Sequence, residues 1–265
     1  MEKHHNPDRT DRDRLKGRSY GKTSGQPLPV PITGSTLKIL AAVFMLIDHI
    51  GAVIIEHGYL RAYNQRMPGA LTYDQIVFLL EIDDVLRFIG RIAFPIFCFL
   101  LVEGFIHTKN RKKYAARLLI FALLAEIPFD LAFRHSFLEF TYQNVMFTLL
   151  IGLLMLMALE KAADKPILYP VIIALAMCAA YGMHTDYDYK GILFIAVLYL
   201  LRYEPLLQTV AGCISLLWEW PACFAFLPIR LYNGQQGLRI KYFFYWFYPV
   251  HILVLAGIRW FLCGI

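Results

Sequence analysis

The amino-acid sequence predicts an all-α polytopic membrane protein: a bundle of about nine transmembrane helices, between eight and ten, with its N-terminus in the cytoplasm. Three observations predict it. The 265 residues are 58% hydrophobic and 15% aromatic with only 17% charged, and the mean hydropathy is +0.50, outside ordinary soluble composition. Apolar runs long enough to cross a bilayer recur along the chain. Lys and Arg gather in alternate polar segments between those runs, as membrane orientation requires. The net charge of +6 is therefore a topology signal, and no nucleic-acid partner is expected.

The chain divides into a basic tail, 1–36, and a membrane domain, 37–265. The tail carries Lys3, Arg9, Arg12, Arg14, Lys16, Arg18 and Lys22, ends in GQPLPVPITG, and lacks a signal-peptide core; it reads as disordered and cytoplasmic. Spans are expected at 37–57, 84–106, 115–133, 144–160, 166–183, 190–202, 205–219, 222–232 and 242–262, with a mixed loop at 59–82. The pair at 205–232 is short, so a re-entrant arrangement stays open beside two crossings; two crossings keep the basic GQQGLRIK loop inside. With the N-terminus inside, KNRKKYAAR, KAADK, RYE and GQQGLRIK face the cytoplasm. The protein is thus placed in the cell membrane as a multi-pass protein, its first partner the lipid bilayer. The five cysteines all lie in apolar runs without CxxC spacing and read as small buried hydrophobes.

The chemistry sits in the polar residues inside those runs. Span 1 carries Asp48-His49 near mid-depth, where a charged side chain costs about 2.5–3.5 kcal/mol. Adjacent helical residues diverge by about 100°, so Asp48 should meet a cation on another helix. Span 2 offers Arg87 and Arg91, one turn apart, just before Pro95. Span 3 offers Glu126 and Asp130 as partners for Arg91, and span 4 begins at Asn144. Glu103 and His107 lie one turn apart toward the inner end, next to Arg111, Lys112 and Lys113, and His251 sits mid-depth in the last span. Asp186 and Asp188, in the loop HTDYDYK, read as solvated. Metal binding is not expected, because no HxxxH or HExxH pattern occurs.

The blocks LKILAAVFMLIDHIGAV, LRFIGRIAFPIFCFLLVEGFIHTKNRKKYAARLLIFALLAEIPFDLAF, QNVMFTLLIGLL and FYWFYPVHILVL resemble the TraX family over about 37–260. That family is named for the protein that acetylates the N-terminus of conjugative pilin, and it is similar to the transmembrane acyltransferases that include heparan-glucosaminide acetyltransferase. The resemblance implies an acyltransferase, specifically an acetyltransferase, using cytoplasmic acetyl-CoA. The acceptor would be an amine or hydroxyl on a protein N-terminus, glycan or small molecule at the outer face. His49 would be general base or transient acyl carrier. Asp48, Glu126 and Asp130 would orient or balance it, and Arg91 or Asn144 would donate to the developing oxyanion. The inner group (Arg111, Lys112, Lys113, Glu103, His107), together with His251 of the YxxH-like ending, falls to the acyl-CoA side. A proton-coupled small-molecule transporter is the alternative function, since the same carboxylates and histidines suit a proton relay; a non-enzymatic scaffold is a third.

Overall fold

The computed structural model describes residues 32–238 and 241–264, and the tail segment 1–31 lies outside them. Among the described residues the protein is all-helical, with two isolated backbone bridges and no strand. Three segments are long and apolar enough to cross a membrane: Gly34–Asn64, Tyr73–His107 and Phe243–Cys263. The remaining helices among the described residues are shorter or carry more charge.

Helix α1, Gly34–Asn64, starts on a Thr33 cap whose hydroxyl accepts from the Thr36 amide at 3.3 Å. Its first turn is closed over by loop 232–238. Gly34 and Ser35 donate their amides to the Gln235 and Gln236 carbonyls at 2.8 and 3.0 Å, and Leu238 donates to Ser35 Oγ at 3.0 Å. Gly237 makes this possible. Its φ is +69, and a Cβ there would strike Thr33 and Ser35. The first helix thus begins at Gly34, ahead of 37, where the sequence put the edge of the tail. Immediately after His49 the helix widens into a π-helical stretch, Ile50–Leu60, a feature that clusters at functional positions.

Helices α2, Tyr73–Gly90, and α3, Ala93–His107, are parted by a break at Arg91-Ile92. Pro95 falls in the first turn of α3 and has no N–H to bond the Arg91 carbonyl, so the helix cannot run through unbroken. The expected loop at 59–82 is much shorter than predicted: α1 continues to Asn64 and α2 begins at Tyr73. The aromatic and apolar residues 73–82 already carry a helical pattern that the flanking Gly69 and Pro68 obscured.

Helix α4, Arg111–Phe133, is capped by Asn110, whose side chain accepts from Lys113 N at 2.9 Å. Helices α5, Val145–Lys161, α6, Tyr169–Gly182, and α7, Asp188–Leu200, follow. Then α8, Pro205–Ser215, is only 11 residues long. That is about 16 Å, half a hydrocarbon core. The chain turns through a 3-10 stretch, Leu217–Ala225, and returns as α9, Phe226–Arg230. Arg230 Nε bonds Thr209 Oγ1 at 2.8 Å, and Cys223 Sγ approaches the Cys213 carbonyl at 3.6 Å. The two legs are therefore antiparallel. Residues 205–230 form one antiparallel hairpin, with legs shorter than the spans expected at 205–219 and 222–232. The last helix is α10, Lys241–Cys263.

α1 lies between α3 and α2 on one side and α10 on the other, and α10 packs along α4. α5 and α7 complete the interior with fully buried Leu153, Leu156, Ile192, Phe194, Ile195 and Leu198. The outer surface is apolar too, with Phe78, Val85, Ile120, Leu123, Val171, Leu175, Val254 and Phe261 exposed. A helical protein with apolar flanks and charge at its centre is built for hydrocarbon. α1 and α2 touch through glycines. A Cβ on Gly90 would overlap Asp48, and one on Gly51 would overlap Asp83. Gly90→Ala should therefore cost about 1–3 kcal/mol by forcing the helices apart. Gly182→Ala, which has nothing within 4 Å of its new methyl, should be near neutral; thermal unfolding in detergent compares the two.

Candidate active site

A cavity of about 720 Å³ runs through the α1 side of the bundle. One end is lined by Gly34, Lys38, His107, Arg117 and Gln236, the middle by Asp48, His49, Arg91 and Phe97, and the other end by Glu56, His57, Arg134 and Tyr142. Its centre is a pair of histidines. His49 Nδ1 lies 2.7 Å from His251 Nε2, and the two rings stack at 4.9 Å between centroids and 10° between planes. His251 Nδ1 lies 2.6 Å from the Phe247 carbonyl. A carbonyl only accepts, so that nitrogen carries the hydrogen. With both rings neutral, His251 Nε2 is then a lone pair, His49 Nδ1–H donates to it, and His49 Nε2 is left as a lone pair. His49 lines the cavity; His251 is buried behind it. The spacing of Phe247 and His251, one helical turn, lets α10 supply the orienting carbonyl from its own backbone.

Asp48 finds its cation on α2, as the divergence of adjacent residues demanded. Arg87 Nη1 reaches Asp48 Oδ2 at 2.5 Å and Arg87 Nε reaches Glu56 Oε1 at 3.2 Å. Arg91 does not join Glu126 or Asp130. Its Nη1 pairs with Glu219 Oε1 at 2.8 Å, at the tip of the hairpin. Glu126 instead bonds the Asn144 side chain, and Asp130 Oδ2 accepts the Glu139 amide at 2.7 Å. Asn144 is fully buried. It donates to the Ala122 carbonyl at 2.9 Å and caps α5 by accepting from Met146 N at 3.0 Å. Glu126 and Asn144 thus tie α4 to α5, Asp130 holds the loop between them, and all three stand outside the cavity lining.

At the Lys38 end only the last basic residue of KNRKKYAAR, Arg117, reaches the cavity. Arg111 is held by Glu160 at 2.7 Å and lies over the Phe105 ring at 4.5 Å, while Lys112 and Lys113 are exposed and outside the lining. Glu103 and His107 do line the cavity, 3.8 Å apart. The cations on the wall are Lys38 and Arg117, and Arg117 Nε is buried without a hydrogen-bond partner. Lys38 was legible in principle. It precedes His49 by 11 residues, about three turns, so both point along one face about 16 Å apart.

Two acidic residues also escaped the sequence. Asp186 is not simply solvated. The loop between α6 and α7 bridges back to Gln143, and Asp186 lines the cavity, where Oδ1 accepts from Tyr142 Oη and from Tyr187 N, both at 3.1 Å. Enclosure pushes its carboxyl up to about 6, against the bond from Tyr142. Glu219 sat in EWP, which reads as a polar turn. Among the described residues no group of three His, Cys, Asp or Glu is placed to hold a metal ion.

Apolar flanks, an ionised interior and a histidine pair on a deep cavity define a helical membrane protein with a candidate active site within its bundle. A model of the TraX protein family matches residues 33–259, so the chain belongs to the TraX family. A probable fimbrial assembly protein FimC, serogroup H1, of Dichelobacter nodosus is 31% identical over 257 residues, covering 85% of this chain and 95% of that protein. No solved structure matches it.

The shift at Asp186 sets a pH dependence. A carboxyl whose folded value lies above its unfolded one favours folding below the unfolded value and loses that contribution as pH rises through about 6. Asp186→Asn keeps the Oδ1 acceptor and removes the charge. It should raise the thermal midpoint at pH 8 and leave it nearly unchanged at pH 4; equal shifts at both would show that Asp186 is not enclosed.

Proposed function

We propose that this protein is a multi-pass acetyltransferase of the cell membrane, N-terminus inside. It would move an acetyl group from cytoplasmic acetyl-CoA to an amine or hydroxyl acceptor presented at the outer face. The observation that carries the reading is the His49–His251 pair on a cavity lined by Lys38 and Arg117 toward one end and by Glu56, His57, Arg134 and Tyr142 toward the other. The fimbrial assembly relative makes a protein N-terminus a natural acceptor to test beside glycan and small-molecule acceptors.

The wall fits the donor. Lys38 and the unpaired Arg117 Nε suit the phosphates of coenzyme A, and Glu103 Oε1, buried and without a partner, suits an amide N–H of its pantetheine arm. His107 stands beside them. Arg111, Lys112 and Lys113 would then act at longer range, raising the local concentration of an anionic donor.

His49 Nε2 takes the proton from the acceptor N–H or O–H as that atom attacks the thioester carbonyl. The C–S bond breaks, the new C–N or C–O bond remains, and the proton passes from His49 to the departing thiolate, giving free coenzyme A. His251 holds the His49 ring in the one tautomer that leaves Nε2 basic and stabilises its positive charge while the proton is held. Asp48, paired to Arg87, places a negative charge beside it. Since Asn144 is spent on α4 and α5, Arg91 is the donor for the oxyanion, a role worth about 100–1000-fold in rate.

Purified protein in liposomes with labelled acetyl-CoA tests the proposal: wild type should release coenzyme A and His49→Ala should not, and equal release would refute the assignment of His49. Lys38→Glu should raise KM for acetyl-CoA by about tenfold or more, and the Lys112→Glu, Lys113→Glu pair by less, read from initial rates at two salt concentrations.

A further inference from the structure

The hairpin of residues 205–230 does more than fill space. Its tip, between α8 and α9, carries Glu219, whose backbone (φ −143, ψ 59) leaves the helical region. This turn aims the carboxylate inward, where its side chain is only 10% exposed. The tip is wedged in place by rings. Trp220 meets Phe88 of α2 edge-on at 5.3 Å, Trp218 meets Tyr187 at 6.0 Å, and Lys190 lies over Trp218 at 4.5 Å. Its target, Arg91, stands at the junction of α2 and α3, where its amide still bonds the Arg87 carbonyl at 3.0 Å, so the backbone is set and the long side chain is what needs an anchor. Asp48 is already taken by Arg87. Glu219 is therefore the carboxylate that holds Arg91.

We infer that Glu219 is a positioning residue, which fixes the Arg91 guanidinium against the cavity so that it can donate to the thioester oxygen as negative charge develops there. The inference rests on the acyl-transfer reading above and adds a residue to it. A guanidinium has five N–H donors. One carboxylate and the neighbouring Tyr187 phenol do not use them all, so Arg91 can be anchored on one edge and still face the cavity. Tyr187 stacks on Phe94 at 3.6 Å and 3°, which fixes that second contact as well. An unanchored arginine samples many rotamers, and a displacement of about 1 Å costs about 100-fold in rate.

The test compares Glu219→Gln, Glu219→Asp and the charge swap Arg91→Glu with Glu219→Arg, each purified in the full chain. Glu219→Gln should lower kcat by about 100-fold with KM for acetyl-CoA unchanged, and Glu219→Asp should recover part of the loss. The swap decides between anchoring and mere stability: it should restore the thermal midpoint lost in either single reversal and leave turnover absent. Turnover restored along with the midpoint, or wild-type kcat in Glu219→Gln, overturns the inference. A readout independent of chemistry accompanies these. Phenylglyoxal labelling of Arg91, read by peptide mass spectrometry, should rise in Glu219→Gln, as should hydrogen exchange across 216–225. Unchanged labelling and exchange overturn the anchoring. Absence of turnover in wild type overturns the acyl-transfer reading and the donor role together, while the labelling still decides whether Glu219 holds Arg91.

Discussion

The ion pair between Asp48 and Arg87 is the constraint around which the bundle is arranged. A carboxylate in the interior of an apolar helix is tolerable only if a cation meets it at hydrogen-bond distance, and a broken pair of this kind costs about 3–5 kcal/mol. To make that contact α1 and α2 must approach until no side chain fits between them, which is why glycines stand at 51 and 90. Glu56 extends the pair to a triad on the same guanidinium. With α1 held in this way, its π-helical stretch begins directly after His49, and the ring falls beside α10 within reach of His251.

From that arrangement follows a cavity whose two ends differ. One end gathers Lys38, Arg117 and His107; the other gathers Glu56, His57, Arg134 and Tyr142, with Asp186 folded in from its loop. Between them, the wall presents a lone pair on His49, the Arg91 guanidinium, and Arg87 paired with Asp48 and Glu56. The polar groups that stand outside the wall serve the helices: Glu126 and Asn144 join α4 to α5, and Arg259 donates to the carbonyls of Leu131 and Ala132 at the end of α4. In a setting without water, satisfying helix ends and satisfying a site use the same residue types, and depth alone does not separate them.

That ambiguity explains what could be read in advance. Asp48, His49 and Arg87 were legible because an ionisable residue in an apolar run is rare and expensive. Pro95 announced a helix break and produced one. Asn144 and Arg91 looked alike in the sequence, and the contacts separate them: Asn144 is bonded between α4 and α5, while Arg91 lines the cavity. The KNRKK segment stood out because charge clusters are conspicuous, whereas the cations on the cavity wall at that end are Lys38, a single lysine in an apolar helix, and Arg117. Glu219 and Asp186 were passed over because a carboxylate beside a turn residue normally faces water.

By itself, the sequence determined the helical class, the membrane setting and the family, and placed Asp48-His49 inside an apolar helix, since these depend on composition, run length and local pattern. The tertiary structure alone decided that His49 meets His251 across 202 positions of chain, that Arg91 turns to a hairpin tip, and that residues 205–230 double back within the bundle. Hydropathy records how much a segment avoids water, but which charge meets which depends on helix crossings and loop folds. Those are set by contacts between residues far apart in sequence.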